Sequence, residues 1–167
     1  TSSRGTATET VTASASAAQR SMRTQLDADA IRKALFISKR AEALAKSGDY
    51  DGAIERYREA LQVWPYHTQG WTEIGRLYLI KRDFTKAQIA LERAVESDPG
   101  SAPTLNDLAV AHLYQAHIDR AVELLEAVID IDPQYAPPLF NMALCYLARE
   151  RKDDAREYLQ RYLSLAP

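Results

Sequence analysis

The chain has 167 residues, of which 46% are apolar and 26% charged, and a formal net charge of −2. That is enough apolar material for one ordinary domain or a short repeat array, and the near balance of charge speaks against a nucleic-acid binder, which carries a basic excess. A single cysteine, Cys145, excludes an internal disulfide and a cysteine-based zinc site, and no apolar run reaches the about 18 residues of a membrane-spanning helix.

Residues 1–24 read as a tail. Sixteen of them are Thr, Ser or Ala, Glu9 is the only acid, and Arg4, Arg20 and Arg23 are the bases. No hydrophobic period runs through them, and such a stretch buries too little apolar surface to offset its ordering entropy, so a flexible linker is expected. The chain begins at Thr1 and not at Met, which suggests an upstream segment. A Thr/Ser/Ala linker fits a tether to an anchored end, and so an extracytoplasmic, periplasmic domain. It also fits a cytoplasmic domain, and its Arg- and Ser-rich, acid-poor start is similar to an organelle transit peptide. A tail that folds back into a groove as strand or helix is a further alternative.

Helical patterning begins at Gln25. Leu26, Ile31, Leu35 and the run Ile37–Leu44 recur at helical spacing, with Asp27 or Asp29 as the expected cap and Lys46 as the expected end. Ser47-Gly48-Asp49 is expected to be a turn, with Gly48 free to take a left-handed conformation. A second helix is expected from about Asp51 to Val63, stopped by Trp64-Pro65.

The unit then repeats. Pro65, Pro99, Pro133 and Pro167 follow one another at intervals of 34 residues. Proline has no amide hydrogen and disfavours helix at the residue before it, so each closes a helix. With the prolines aligned, Ala53, Ala87, Ala121 and Ala155 form an invariant column two residues after Asp51, Thr85, Asp119 and Asp153, which suit a first turn or a cap. Ala41, Gly75, Ala109 and Ala143 form a second small column. Ile37, Trp71, Leu105 and Leu139, and then Tyr57, Leu91, Leu125 and Leu159, form two large ones. Large facing small is how antiparallel helices interlock.

This pattern resembles the tetratricopeptide repeat, best in the second unit: Trp71, Ile74, Gly75, Tyr78, Ala87, Leu91, Ala94 and Pro99. The resemblance covers about Ala34 to Pro167 and implies an all-α solenoid of four tandem helix-turn-helix repeats in a right-handed superhelix. The units expected are 25–67 with an extended first helix, 68–101, 102–135 and 136–167, after the tail 1–24. Departures are Arg40 at an apolar place, which suits a capping unit, His112 for Tyr, and Val128 and Tyr162 for a small Ala, the last expected to reshape the final helix pair. The unit ends at Pro167 without the polar covering helix usual in such families, which leaves Leu159, Tyr162, Leu163 or Leu165 partly exposed. Either the natural chain continues or a partner covers that surface.

The resemblance also implies a concave face lined by the first helix of each unit. It begins polar (Ser38, Glu42, Lys46) and becomes apolar. Arg76 and Asn106 sit at the change, and Val110, Leu113, Tyr114, Phe140, Leu144 and Leu147 follow. An exposed apolar patch of this kind marks an interaction site, so an apolar helix or extended peptide is expected there, oriented by Arg76 and Asn106. The alternative is that these residues pack within the helix layer. Chaperone-binding members hold a terminal carboxylate with two Lys, two Asn and an Arg. Here those places carry Ser38, Glu42, Glu73, Pro103 and Asp107, and in the next window Thr72, Arg76, Asp107, Pro137 and Asn141. Neither set makes that clamp, and the acids would repel a carboxylate.

Chemistry is thinly represented. His112 and His117 stand five apart across a turn, which is not a one-face spacing, and Cys145 lies among apolar neighbours as an inert thiol. No phosphate loop, nucleophile elbow, metal cluster or cofactor motif occurs. The residues therefore point to a non-enzymatic protein-binding scaffold or assembly factor with a protein or peptide partner, no nucleic acid and no cofactor. A homodimer through Leu159, Tyr162 and Leu163 is the alternative.

Overall fold

The structure, a computed structural model, describes the backbone of residues 5–165 and the side chains of Met22 and residues 25–165. Pro167 and residues 1–4 of the tail lie outside the described residues. Eight helices follow one another: α1 (Gly5–Lys46), α2 (Tyr50–Val63), α3 (Thr68–Ile80), α4 (Phe84–Ser97), α5 (Ala102–Tyr114), α6 (Ile118–Ile131), α7 (Pro137–Ala148) and α8 (Lys152–Leu165). Odd and even helices pack as antiparallel pairs, each pair stacks on the next, and α3, α5 and α7 adjoin along one side.

Two expectations at the N-terminus need correction. The backbone is helical from Gly5 onward, where the composition predicts a flexible linker over residues 1–24. The stretch between Gly5 and Gly48 holds no Gly or Pro to break a helix, and its alanines favour one. Asp27 and Asp29 are therefore interior to α1 and cap nothing; Asp29 pairs instead with Arg32 one turn on.

Every hairpin within a unit turns in the same way. Gly48, Arg82, Ala116 and Glu150, each 34 residues from the last, have φ of 88°, 59°, 61° and 61°. The following amide of Asp49, Asp83, His117 or Arg151 donates back to the carbonyl of Leu44, Tyr78, His112 or Tyr146 at 2.9–3.0 Å. This is the Schellman closure, which satisfies the last carbonyls of the first helix. The next helix starts at once. Asp49 and Asp83 cap α2 and α4 by accepting from the amides of Gly52 and Lys86, whereas His117 caps α6 without a side-chain bond. Asp51, Thr85, Asp119 and Asp153 thus fall inside the first turn of their helices and are not the caps.

The connections between units rest on proline. Trp64, Asp98 and Asp132 have φ near −140° and ψ between 86° and 93°, the extended form that a following proline imposes. Pro137 and Pro138 open α7, where a missing amide hydrogen leaves no helical bond unmade.

The columns read from the sequence make the core. Ala53, Ala87, Ala121 and Ala155 are buried, as are Ala41, Gly75, Ala109 and Ala143. Tyr57, Leu91 and Leu125 face them from the second helices, fully enclosed. Leu159, the fourth of that column, is only half-buried, because no further unit stacks on α8 among the described residues. Tyr162 turns its ring against Phe140, 5.6 Å between centroids. Arg40 is exposed beside the Phe36 ring.

Candidate functional site

The inner face is built by α1, α3, α5 and α7, and its polar half is stitched. Ser38 Oγ lies 2.8 Å from Nε2 of His67, the residue that precedes α3. Thr72 and Thr104 bring their hydroxyls to 3.4 Å. Arg76 Nε donates to Asp107 Oδ2 at 2.6 Å, and its terminal nitrogen donates to Glu73 at 3.0 Å. Asn141 donates to Asn106 Oδ1 at 2.9 Å. Three of these contacts (Thr72–Thr104, Arg76–Asp107 and Asn106–Asn141) join one inner helix to the next.

Arg76 and Asn106, expected to orient a ligand, both already have partners. Asn106 is buried, and Arg76 is held between two carboxylates. Burial raises the Asp107 carboxyl above its ordinary range and the Arg76 guanidinium pulls it back. These contacts span 31 to 35 residues in sequence, so no local pattern announces them.

Two hollows lie in this polar half. One, of about 350 Å³, is bordered by Glu42, Lys46, Tyr50, Glu73, Arg76 and Ile80. The other, also about 350 Å³, lies between α3 and α5 beside Gln69, Thr72, Arg76, Ser101 and Pro103. Burial, with the charges of Glu73 and Glu42, pushes the Tyr57 phenol well up.

The apolar half is a surface more than a hollow. Tyr114, Phe140 and Leu147 are 54%, 42% and 47% exposed, and Val110, Leu113 and Leu144 are half-buried between them. On α5, positions 110, 113 and 114 share a face, and on α7 so do 140, 144 and 147. The Tyr114 ring stacks on Phe84, 4.8 Å between centroids and 8° from parallel, which fixes it at the rim. Leu113 also packs on the main core. On α8, Leu163 is 69% exposed while Leu159 and Tyr162 are half-buried.

The titratable groups make no reactive constellation among the described residues, which hold no group of three metal-ligating side chains. The turn does bring His112 and His117 together, Nδ1 to Nδ1 at 3.5 Å. Their five-residue separation suggests otherwise, but the Schellman closure folds the chain back between them. Cys145 is buried and its thiol is pushed up to about 11. No helix in the described residues is long and apolar enough to cross a membrane.

Stacked antiparallel helix pairs of fixed length, with small residues at the crossings and a continuous inner face, define a helical-repeat solenoid. Two family models described as tetratricopeptide repeat match residues 38–102 and 112–167. The chain belongs to the tetratricopeptide repeat family, and the fold is its right-handed α-solenoid. No curated protein matches the sequence. Among solved structures the chain is similar to MamA, with TM-score 0.74 and 20% identity over 87% of this chain and 85% of that one. It is similar also to TTC0263, a thermophilic repeat protein of Thermus thermophilus, with TM-score 0.70 and 19% identity over 80% and 74%. A third is the first repeat domain of Spaghetti (RPAP3) bound to the HSP90 peptide SRMEEVD, with TM-score 0.63 and 19% identity over 75% and 93%.

Proposed function

We propose that this chain is a non-enzymatic scaffold that binds an apolar helix or extended peptide of a protein partner along the C-terminal half of its inner face. The fold is that of a protein-interaction scaffold in general. The finer reading rests on one observation: Tyr114, Phe140 and Leu147 expose apolar surface on adjoining helices, on the face that the stacking of units makes continuous. Burying such a patch stabilises a complex by roughly 25 cal/mol per Å² before the costs of association. The Spaghetti domain was solved with a chaperone peptide, but this chain places Glu42, Glu73 and Asp107 along the corresponding face, and Arg76 is occupied by two of them. A terminal carboxylate is therefore not the ligand we assign.

The test is affinity capture from the native cell extract with the chain and its Val110→Glu, Leu144→Glu variant as baits. Retention of one protein by the parent and its loss by the variant supports the reading. Equal retention by both sinks it. The 69% exposure of Leu163 favours a second reading, self-association through α8, which light scattering over a concentration series decides.

A further inference from the structure

The outer side of the array carries two clefts of one kind, and the first differs in chemistry from its successor. Each cleft lies between successive second helices, over the first helix of the later unit. The cleft between α2 and α4 has a volume of about 230 Å³. Trp71, Ile74 and Tyr78 form its floor, and Arg58, Lys86 and Ile89 its walls. No acid lines it.

Comparison of the repeats isolates what is special. Ile89 occupies a place at which the other units carry Glu55, Glu123 and Glu157, and all four positions are exposed. Three units put a solvated carboxylate there; the second puts an isoleucine that leaves 56% of its surface in water. Arg58 is succeeded by Glu92 and Glu126 in the later units, and Lys86 by Arg120 and Asp154. The floor changes from Trp71 to Leu105 and Leu139. Ala90 gives way to Leu124 and then to Tyr158, whose ring stacks on Tyr146 at 5.3 Å. The first cleft alone combines an aromatic floor, an apolar wall, a small residue behind it and two cations.

The cations have donors to spare. Arg58 donates to the Tyr78 hydroxyl at 2.9 Å and to Glu55 at 2.7 Å. Lys86 donates to Asp83 at 2.7 Å and sits 5.5 Å from the Tyr78 ring centre. A guanidinium has five N–H groups and an ammonium three, and both side chains are about half exposed.

We propose that this cleft is a second binding site, independent of the inner face, for a peptide segment that carries a carboxylate beside an aromatic or branched apolar side chain. The apolar side chain packs on Trp71 and Ile89, and the carboxylate is met by Arg58 and Lys86. The charge complementarity is local: no carboxylate enters the lining, and both cations, each paired on one side with Glu55 or Asp83, keep N–H donors turned to it.

A random peptide library displayed on phage is selected on the immobilised chain and counter-selected on variants. The proposal expects a class of peptides with an acid within two residues of an aromatic or branched apolar residue. This class remains bound to Val110→Glu, Leu144→Glu but loses binding roughly ten-fold or more on Ile89→Glu and on Lys86→Glu. Synthetic peptides of that class change the emission of Trp71 in a Trp64→Phe background. Ile89→Glu should leave the melting temperature unchanged, since Glu is the residue of the other three units; Ile89→Gln serves as a neutral control. Selection that yields no peptide dependent on Ile89, or only Ile89-dependent peptides without an acid, overturns the proposal.

Discussion

A Cβ placed on Gly75 falls 2.5 Å from Cγ of Leu91. Leu91 is completely enclosed and Gly75 lies in the middle of α3, so the two backbones approach as closely as the pair allows. Ala favours helix over Gly by about 1 kcal/mol, but overpacking an enclosed core costs about 1–3 kcal/mol. Gly75→Ala is expected to destabilise by about 1 kcal/mol and lower the melting temperature by about 2–4 °C. Combining it with Leu91→Ala should cost less than the sum of the two single changes. A raised melting temperature for the single variant would show that α3 and α4 move apart at little cost.

Among the described residues, the three non-glycine left-handed positions offer the opposite prediction. An L-residue in that conformation is strained by about 1–2 kcal/mol, which glycine avoids at some cost in unfolded-chain entropy. Ala116→Gly and Glu150→Gly should each stabilise by about 0.5–1 kcal/mol, measured as a rise in the denaturant midpoint at constant slope. Gly48→Ala should do the reverse, since Gly48 has φ 88°.

Acid should weaken the array before its carboxylates titrate. His67 is buried against Trp64, ring centroids 5.1 Å apart, with Ser38 as its partner. Burial holds its imidazole below the ordinary value, and burial together with the nearby His117 does the same to His112. The unfolded chain therefore takes up protons first, at about pH 6.5. The stability these groups contribute is complete above that pH and is lost as the pH falls through it, until the folded-state values are passed. Urea midpoints should drop between about pH 7.5 and about pH 5.5. His67→Gln combined with His112→Tyr, the residue of the second and fourth units, should flatten the slope. Asp107, raised by burial, contributes in the opposite sense at the acid end. Midpoints that are flat or rising over the near-neutral range in the parent would refute the assignment.

Cys145 tests the packing of α7. Its thiol is fully enclosed and pushed up to about 11 by burial. A thiol reagent at mildly alkaline pH should leave it unmodified in the folded chain and modify it fully in denaturant. Fast reaction without denaturant would mean that α7 opens on the time scale of the assay.

Much of this architecture is legible in one sequence because the chain repeats itself. The prolines set the period, and the Ala53 and Gly75 columns locate the helix crossings before any coordinates exist. What escapes is whatever has no side-chain signature or bridges units. Arg82, Ala116 and Glu150 look like ordinary turn residues; only their register with Gly48 marks them as left-handed. The pairing of Arg76 with Asp107 and of Asn106 with Asn141 links residues more than thirty apart, so the polar inner face reads as free ligands when it is largely seam. Ile89 shows the converse: its oddity is plain in the sequence once the four units are aligned, but the cleft beside it is a property of the stack.

Because each helix pair packs chiefly on its neighbours along the stack, the placement of Trp64 and Trp71 has an optical consequence. Both indoles belong to the first two units, and the second two carry tyrosine and Phe140 but no tryptophan. Intrinsic indole emission thus reports the loss of α1–α4, whereas far-ultraviolet circular dichroism reports every helix. If the last two units melt away while the first two hold, the dichroism curve will lead the emission curve by a measurable interval of denaturant. Superimposable curves would mean that the four units are lost as a single cooperative block.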